Sequence, residues 1–293
     1  MATLVVVTHG VGNHPADFAL AWEKILHAHH PDADFQVAGL WWEDLLEKVA
    51  EKFPIVEQEF ADAVKSFGFG QLAQLLDSST YDQVRDFFMD VLVYLAMGEM
   101  TDYLQTALAL RLKQLLHDQG AAAGETVLIG HSLGAVALPH VVWRERNAIG
   151  YIPYRGLILL APPLGMASPL PAVVKDPLAA MPGVHGMNRP QILTAFAREW
   201  AAGALHLLIN RHDLICADVR FSTGGAAVDP IPVAQGFSNA ELVLLERECG
   251  GSVSCFTQGA ADPRQVAANH AVTLYLQRPE FDAAFAHLLG VAP

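Results

Sequence analysis

The sequence predicts an α/β fold in which a mostly parallel sheet is flanked by helices. Short apolar runs, typical of strands buried on both faces, alternate along the chain with longer segments of helical periodicity. This alternation favours parallel strands joined by helical crossovers. The apolar runs indicate a sheet of about six strands, which is an ordinary size. In such a sheet we expect functional side chains at the carboxyl ends of the strands.

The predicted strands follow the apolar runs in chain order. They are Leu4–Val7, Phe35–Trp41, Thr126–Ile129, Gly156–Leu160, Leu205–Ile209 and Val253–Phe256. Helices are predicted from near Pro15 to His29, over Val84–Leu116, and at Ala135–Arg146, Gln191–Ala202 and Asn269–Leu289, the last with Pro279 as a candidate break. Residues 43–117 and 164–192 are interpreted as cap segments, largely helical in the first case, within a single domain that spans residues 1–293.

The composition is that of an acidic globular protein with a large core. The chain has 293 residues, of which 52% are hydrophobic and 17% charged, and its formal net charge is −13. An acidic chain without a basic cluster binds nucleic acids and anionic membranes poorly, so neither is expected as a partner. The three cysteines, Cys216, Cys249 and Cys255, show no metal-ligand spacing, so they do not indicate a metal site. This cysteine usage fits a reducing, cytoplasmic location.

Two apolar stretches resemble targeting or membrane segments at first sight. Met1–Thr8 has no basic residues before its apolar run and leads directly into His9, so it is interpreted as a core strand. Gly156–Val174 is uncharged and long enough to span a bilayer, but it contains prolines that a spanning helix would tolerate badly. We therefore expect no transmembrane segment.

The most informative motif is the pentapeptide GHSLG at Gly130–Gly134, in which His131 and Leu133 flank Ser132. It lies between a predicted strand and a predicted helix, which is the context of a nucleophile elbow. Such a turn is sharp, and glycines two positions on either side of the serine let the strand and the helix pass close together. The hydroxyl then projects beside a helix N-terminus, whose free N–H groups favour an oxyanion. The alternative is a serine in an ordinary strand–helix turn.

This elbow, set in an alternation of strands and helices, resembles the α/β-hydrolase superfamily on its esterase and lipase side. The resemblance implies that Ser132 is the nucleophile of acyl transfer, and that an acid and then a histidine follow it along the chain. The superfamily usually opens with two additional antiparallel edge strands. In this chain the first predicted strand already leads into His9, so we expect a trimmed sheet without them.

The segment HGVGN, which begins at His9, directly follows the first predicted strand. In the superfamily a His-Gly-x pattern at this place supplies one N–H group to the oxyanion. The resemblance therefore implies that the backbone of Val11 is one donor and that of Leu133, after the nucleophile, the other. Gly10 and Gly12 are expected to support this loop, and His9 to brace it rather than act as a base. The alternative is that the two glycines only form a tight turn.

Asp213 is predicted as the acid of the site. It follows the predicted strand Leu205–Ile209, beyond the elbow and before a suitable histidine, as the chain order requires. Asp218 is the nearest competitor and Asp229 a weaker one. Asp213 could instead be a turn residue that accepts hydrogen bonds from nearby backbone N–H groups. Arg211 is close enough in the chain to pair with it.

His270 is predicted as the base. It follows the last predicted strand, and the intervening stretch Thr257–Asn269 is long enough to carry its side chain to the sheet edge. His287 lies deep in the terminal helix and is expected to pack or to face solvent. The remaining histidines precede the elbow or fall in the cap segments.

The resemblance and these residues together imply a serine-dependent hydrolase of carboxylic esters that needs no cofactor. Its partner would be a small-molecule ester or a lipid-like substrate. Two alternatives stay open: an acyltransferase that uses the same three residues, and a non-catalytic binding protein with the same fold. Dehalogenases of this fold use an aspartate nucleophile, which Ser132 argues against. The sequence does not indicate an oligomeric state.

Overall fold

One six-stranded sheet, parallel throughout, organises the part of the chain that the structure describes. The structure is a computed structural model that describes residues 2–10, 14–52, 94, 98–145, 152–163, 184–199, 204–213, 239–260 and 265–292. The strands are β1 (Thr3–Thr8), β2 (Phe35–Gly39), β3 (Thr126–His131), β4 (Gly156–Leu160), β5 (Leu205–Asn210) and β6 (Ser252–Phe256), in the order β2-β1-β3-β4-β5-β6. The predicted α/β class and strand number are confirmed.

Helices cover both faces of this sheet. They are α1 (Ala19–His29), α2 (Glu43–Lys52), α3 (Gly98–Asp118), α4 (Gly134–Glu145), α5 (Arg189–Glu199), α6 (Asn239–Glu248), α7 (Val266–His270), α8 (Val272–Leu276) and α9 (Pro279–Leu289). Within the described residues the sheet contains no antiparallel strand. The predicted cap segments lie mostly at residues 53–93 and 164–183, which are outside the described residues.

The strands form because their apolar side chains alternate between two cores. On β1, Leu4 and Val6 join the core beneath α3 and α4, while Val5 and Val7 join the core beneath α1 and α9. Successive side chains of a strand point to opposite faces, so a strand buried on both faces must be apolar throughout. This is why the sequence pattern of short uninterrupted apolar runs identified the central strands.

Helix boundaries differ from the prediction where local hydrogen bonds set them. The first helix begins at Ala19 rather than near Pro15, because the Phe18 N–H donates to the Pro15 carbonyl and closes a separate tight turn. Helix α5 begins at Arg189 because the side chains of Asn188 and Gln191 each accept a hydrogen bond from the backbone N–H of the other, which is a capping box.

The terminal helical region is divided into three short helices. The backbone of Ala271 (φ −58°, ψ 128°) is extended and separates α7 from α8, and Pro279 occupies the first position of α9. The expected start near Asn269 is therefore wrong, since α7 already begins at Val266. The break has a consequence for the site, because it leaves His270 at the end of one helix and Tyr275 on the next.

Candidate active site

The side chains predicted as nucleophile, base and acid meet at the carboxyl edge of the sheet. Ser132 directly follows β3, Asp213 follows β5, and His270 ends α7, which comes after β6. His270 Nε2 lies 2.8 Å from Ser132 Oγ, and His270 Nδ1 lies 2.8 Å from Asp213 Oδ2. The structure therefore brings the three predicted residues into one hydrogen-bonded chain. That they are catalytic stays a prediction.

The partners of His270 determine where its proton sits. An ionised carboxylate only accepts hydrogen bonds, so Nδ1 is the nitrogen that donates, to Asp213 Oδ2. In the neutral ring Nε2 is then an acceptor, and it receives the hydroxyl proton of Ser132. The Asp213 side chain is fully buried, which leaves its charge to be balanced by hydrogen bonds from the protein. This arrangement prepares Nε2 to take a proton from Ser132.

The elbow has the backbone that its sequence predicts. Ser132 has φ +56°, in the left-handed region that a side chain other than glycine rarely adopts. A Cβ atom on Gly130 would lie 2.7 Å from the Gly134 carbonyl oxygen, and one on Gly134 would lie less than 3.0 Å from the His9 carbonyl oxygen. Both glycines are thus required where helix α4 crosses strands β3 and β1.

Gly10, in the first loop of the sheet, lies directly against Ser132. A Cβ atom on Gly10 would lie 2.9 Å from Ser132 Oγ and closer still to Ser132 Cβ. Val11 and Gly12, which the sequence also assigned to this loop, lie outside the described residues. Their roles, including that of Val11 as an oxyanion donor, stay predictions.

The other predicted oxyanion donor has the backbone environment that the role requires. The Ser132 N–H donates to the Leu160 carbonyl at 3.0 Å, and the Ala135 N–H donates to the Ser132 carbonyl at 2.9 Å. Between them, the Leu133 N–H has no backbone acceptor in the part of the chain that the structure describes. Leu133 immediately precedes α4, and an N–H at a helix N-terminus can donate to an anion placed beside Ser132.

His9 is buried and its two ring nitrogens are occupied away from the nucleophile. Nδ1 lies 2.7 Å from the Gly10 carbonyl, and Nε2 accepts the Trp42 N–H at 3.3 Å. Because the carbonyl accepts, Nδ1 carries the proton and the ring is neutral. Burial, with a contribution from nearby His14, lowers the pKa of His9 to about 3. These contacts fit a residue that braces the Gly10 loop, as the sequence suggested.

His131, which precedes Ser132, holds His270 in place. Its Nε2 donates to the backbone carbonyl of His270 at 2.8 Å, and the centroids of the two rings are 4.8 Å apart. Burial lowers the pKa of His131 well below its ordinary value, with a smaller contribution from the neighbouring His270. A neutral His131 adds no positive charge beside the base. The sequence had assigned it only to the elbow motif.

Two buried asparagines, whose clamping role the sequence did not reveal, hold together the loops that carry Asp213 and His270. Asn269 Nδ2 donates to the His212 carbonyl at 2.9 Å and to the Ala260 carbonyl at 2.8 Å. Asn210, at the end of β5, accepts the N–H groups of His212 and Gln258 and donates to the Asn269 carbonyl at 3.3 Å. Asparagine can do this because one side chain both accepts and donates.

Asp213 has a second hydrogen-bond partner that the sequence did not predict. Tyr275 donates its hydroxyl to Asp213 Oδ2 at 2.7 Å. Within the described residues the ion pair of Asp213 is with His270 and not with Arg211, which was considered as a partner from its position in the chain; the Arg211 backbone N–H donates to the Phe256 carbonyl. The competing acids Asp218 and Asp229 lie outside the described residues.

His287 is far from this edge of the sheet and is exposed on α9, where its ring contacts that of His206. Its Nδ1 lies 3.1 Å from Nε2 of His206, which stands near the amino end of β5. The other nitrogen of His206 lies 2.8 Å from Ser252 Oγ. This second cluster is therefore separated from Asp213 by the length of the strand.

Searches of the described residues for a metal site or a membrane span found neither. No group of three or more histidine, cysteine or acidic side chains there has a geometry that would hold a metal ion. None of the helices there has the length and apolar character needed to cross a bilayer.

Comparison of the whole sequence with protein-family models and with curated proteins gave no match. The superfamily resemblance thus rests on the motifs and their chain order alone.

Proposed function

We propose that this protein is a serine hydrolase that cleaves carboxylic esters through an acyl-enzyme on Ser132. The observation that carries this proposal is the chain of hydrogen bonds from Ser132 Oγ through His270 to Asp213, each 2.8 Å long. Two further observations support it: the left-handed backbone at Ser132, and the Leu133 N–H, which has no backbone acceptor among the described residues. An activated serine also needs such donors for the oxyanion.

In the proposed acylation, Ser132 Oγ attacks the carbonyl carbon of the ester while its proton moves to His270 Nε2. Asp213 keeps the imidazole in this orientation and stabilises the imidazolium. The carbonyl oxygen becomes an oxyanion that accepts the Leu133 N–H and, in our prediction, that of Val11. As the oxyanion collapses, the bond to the leaving oxygen breaks, and that oxygen takes the proton from His270 and departs as an alcohol.

Deacylation repeats these steps with water as the nucleophile. His270 Nε2 removes a proton from the water, whose oxygen attacks the acyl carbon bound to Ser132. The collapse of the second oxyanion breaks the bond to Ser132 Oγ, which regains its proton from His270 and releases a carboxylic acid. All of these proton transfers use one imidazole, so no metal or cofactor takes part in the proposed cycle.

A small-molecule ester or lipid-like compound is the proposed substrate, and the cytoplasm is the proposed location. Cys249 and Cys255 are both free thiols, and free thiols are typical of proteins from a reducing compartment. Burial raises the pKa of each thiol, so neither competes with Ser132 as a nucleophile at neutral pH.

The first test replaces the nucleophile. We expect the purified protein to hydrolyse a short p-nitrophenyl ester and to react with a fluorophosphonate probe at Ser132. Ser132→Ala should lower ester turnover by about 10⁴-fold or more and abolish the adduct, with an unchanged circular dichroism spectrum. Mass spectrometry of the labelled peptide locates the adduct.

Ser252→Ala is the matched control, since Ser252 also lies 2.8 Å from a histidine nitrogen but at the other end of the sheet. We expect it to be labelled and to turn over ester like the parent protein. A folded parent protein that forms no adduct would contradict the proposal and favour a binding role. If an added alcohol instead yields a new ester, the acyl group passes to the alcohol rather than to water, as expected for an acyltransferase.

A further inference from the structure

A buried phenol donates into the acid of the site. Tyr275, on α8, is fully buried, and its hydroxyl lies 2.7 Å from Asp213 Oδ2. We propose that Tyr275 is a positioning residue that fixes the Asp213 carboxylate and thereby sets the pH dependence of the base, His270. This inference rests on the function proposed above.

The phenol and the imidazole share a single carboxylate oxygen. Asp213 Oδ2 accepts both the Tyr275 hydroxyl and the His270 Nδ1 proton, at 2.7 and 2.8 Å. Asp213 Oδ1 is buried and has no hydrogen-bond partner among the described residues. The two hydrogen bonds that hold this carboxylate are therefore both accepted by Oδ2. Loss of either donor would remove one of them.

Tyr275 can hold the carboxylate in place because its own ring is fixed. The ring packs edge-on against Phe256, with centroids 5.4 Å apart, and against His131, at 5.9 Å. A rigid donor restricts rotation of the carboxylate about its terminal bond, which is otherwise soft. Without the phenol hydroxyl, His270 would be the remaining donor to Oδ2. The Asp213 carboxylate would then rotate more freely, and the ring of His270 would be less well fixed.

The phenol also changes the charge that His270 meets. A hydrogen bond to Oδ2 withdraws negative charge from the oxygen that stabilises the imidazolium. Removal of the hydroxyl therefore makes the imidazolium more stable, so His270 holds its proton to a higher pH. This effect can be distinguished from a loss of stability. It shifts the profile of reaction rate against pH along the pH axis, whereas a loss of stability alone would lower the rate without such a shift.

The test compares pH profiles of fluorophosphonate labelling at Ser132. Tyr275→Phe should shift the acid limb of the profile to higher pH by about half a unit or more. It should also lower the plateau rate by about tenfold, the size expected for one hydrogen bond to a charged group. Replacement of Tyr275 by 3-fluorotyrosine keeps the shape of the ring but makes its hydroxyl a stronger donor, and should shift the acid limb in the opposite direction.

Tyr154→Phe is the matched control. The Tyr154 hydroxyl also donates to a buried carboxylate, that of Glu145, at 2.7 Å, but Tyr154 precedes β4 and so lies at the amino ends of the strands. We expect this variant to lose stability as Tyr275→Phe does, while its labelling profile stays unchanged. A purely structural role for Tyr275 predicts the same behaviour from both variants.

An NMR titration of the His270 ring separates this inference from the proposed function, because it needs no reaction at Ser132. If the parent protein forms no adduct but the His270 titration moves in the Tyr275 variants, the proposed function fails and the coupling stands. If the parent protein is labelled but neither the labelling profile nor the titration moves in the Tyr275→Phe and fluorotyrosine proteins, the inference is overturned.

Discussion

Gly10 and Ser132 are in such close contact that the residue at position 10 cannot carry a side chain without moving Ser132. A Cβ atom there would lie less than 3.0 Å from Ser132 Cβ, which is not the mobile end of a flexible side chain. We predict that Gly10→Ala lowers the rate of labelling at Ser132 by about 10²-fold or more, since a displacement of about 1 Å at a reacting group has a cost of this size. Labelling kinetics at fixed probe concentration measure the effect.

Gly124→Ala provides the comparison for this substitution. A Cβ atom at position 124 would meet its nearest atoms at 3.6 and 3.8 Å, which are ordinary contacts. This variant should be labelled at the parental rate. A Gly10→Ala protein that is labelled equally fast would show that the contact with Ser132 is not needed.

At the residue scale, the sequence predicts the three hydrogen-bonded side chains of the candidate site better than those that support them. Ser132 and Asp213 come soon after the strands β3 and β5, His270 follows the last strand, and the carboxyl ends of parallel strands meet at one edge. Tyr275 and Asn269 carry no such signal. Tyr275 reaches Asp213 only because the chain breaks between α7 and α8, and that break is not marked by a proline or a glycine.

At the scale of elements, a similar contrast holds between strands and helices. Strands buried on both faces are apolar throughout, so their runs stand out in the sequence. Helix α6 was not predicted, because a long polar stretch precedes it. Its apolar residues are nevertheless at helical spacing, since Leu242, Leu245 and Cys249 are buried. Its position is fixed by packing on α5, to which it is joined by the ion pairs Arg189–Glu241 and Arg198–Glu248.

The loop after β5 and the short helix α7 are joined by Asn269, and this link can be tested. Asn269→Ala removes the amide that donates hydrogen bonds to the His212 and Ala260 carbonyls. This loss should lower the free energy of unfolding by about 1–3 kcal/mol. Because the link fixes Asp213 relative to His270, labelling at Ser132 should fall by about 10-fold to 10²-fold. Urea unfolding and labelling kinetics measure the two effects.

Asn188→Ala serves as its control. Asn188 caps α5 by accepting the Gln191 N–H at 3.0 Å, and loss of such a cap has a cost of about 1 kcal/mol. This variant should lose stability without slower labelling. An equal loss of labelling in both variants would mean that stability, rather than the alignment of Asp213 with His270, limits the reaction.

At the scale of the whole molecule, neutral histidines are buried at both ends of the sheet. His9 and His131 lie at the carboxyl edge, and His206 lies near the amino edge. Burial lowers the pKa of each, to about 3 for His9 and to about 4 for His206, where the adjacent His287 also contributes. The structure thus favours the neutral form of all three, whereas the unfolded chain takes up protons near pH 6.5.

These histidines should make the folded protein sensitive to acid. Above about pH 6.5 these histidines are neutral in both the folded and the unfolded state. Below it the unfolded chain gains protons that the folded protein does not. The free energy of unfolding therefore falls as the pH is lowered, down to about pH 4 for His206. Each adds a slope of up to about 1.4 kcal/mol per pH unit. His206→Gln should therefore flatten the pH dependence of urea unfolding between pH 6.5 and 4, whereas the exposed His117→Gln should leave it unchanged. An unaltered slope in His206→Gln would show that His206 titrates alike in both states.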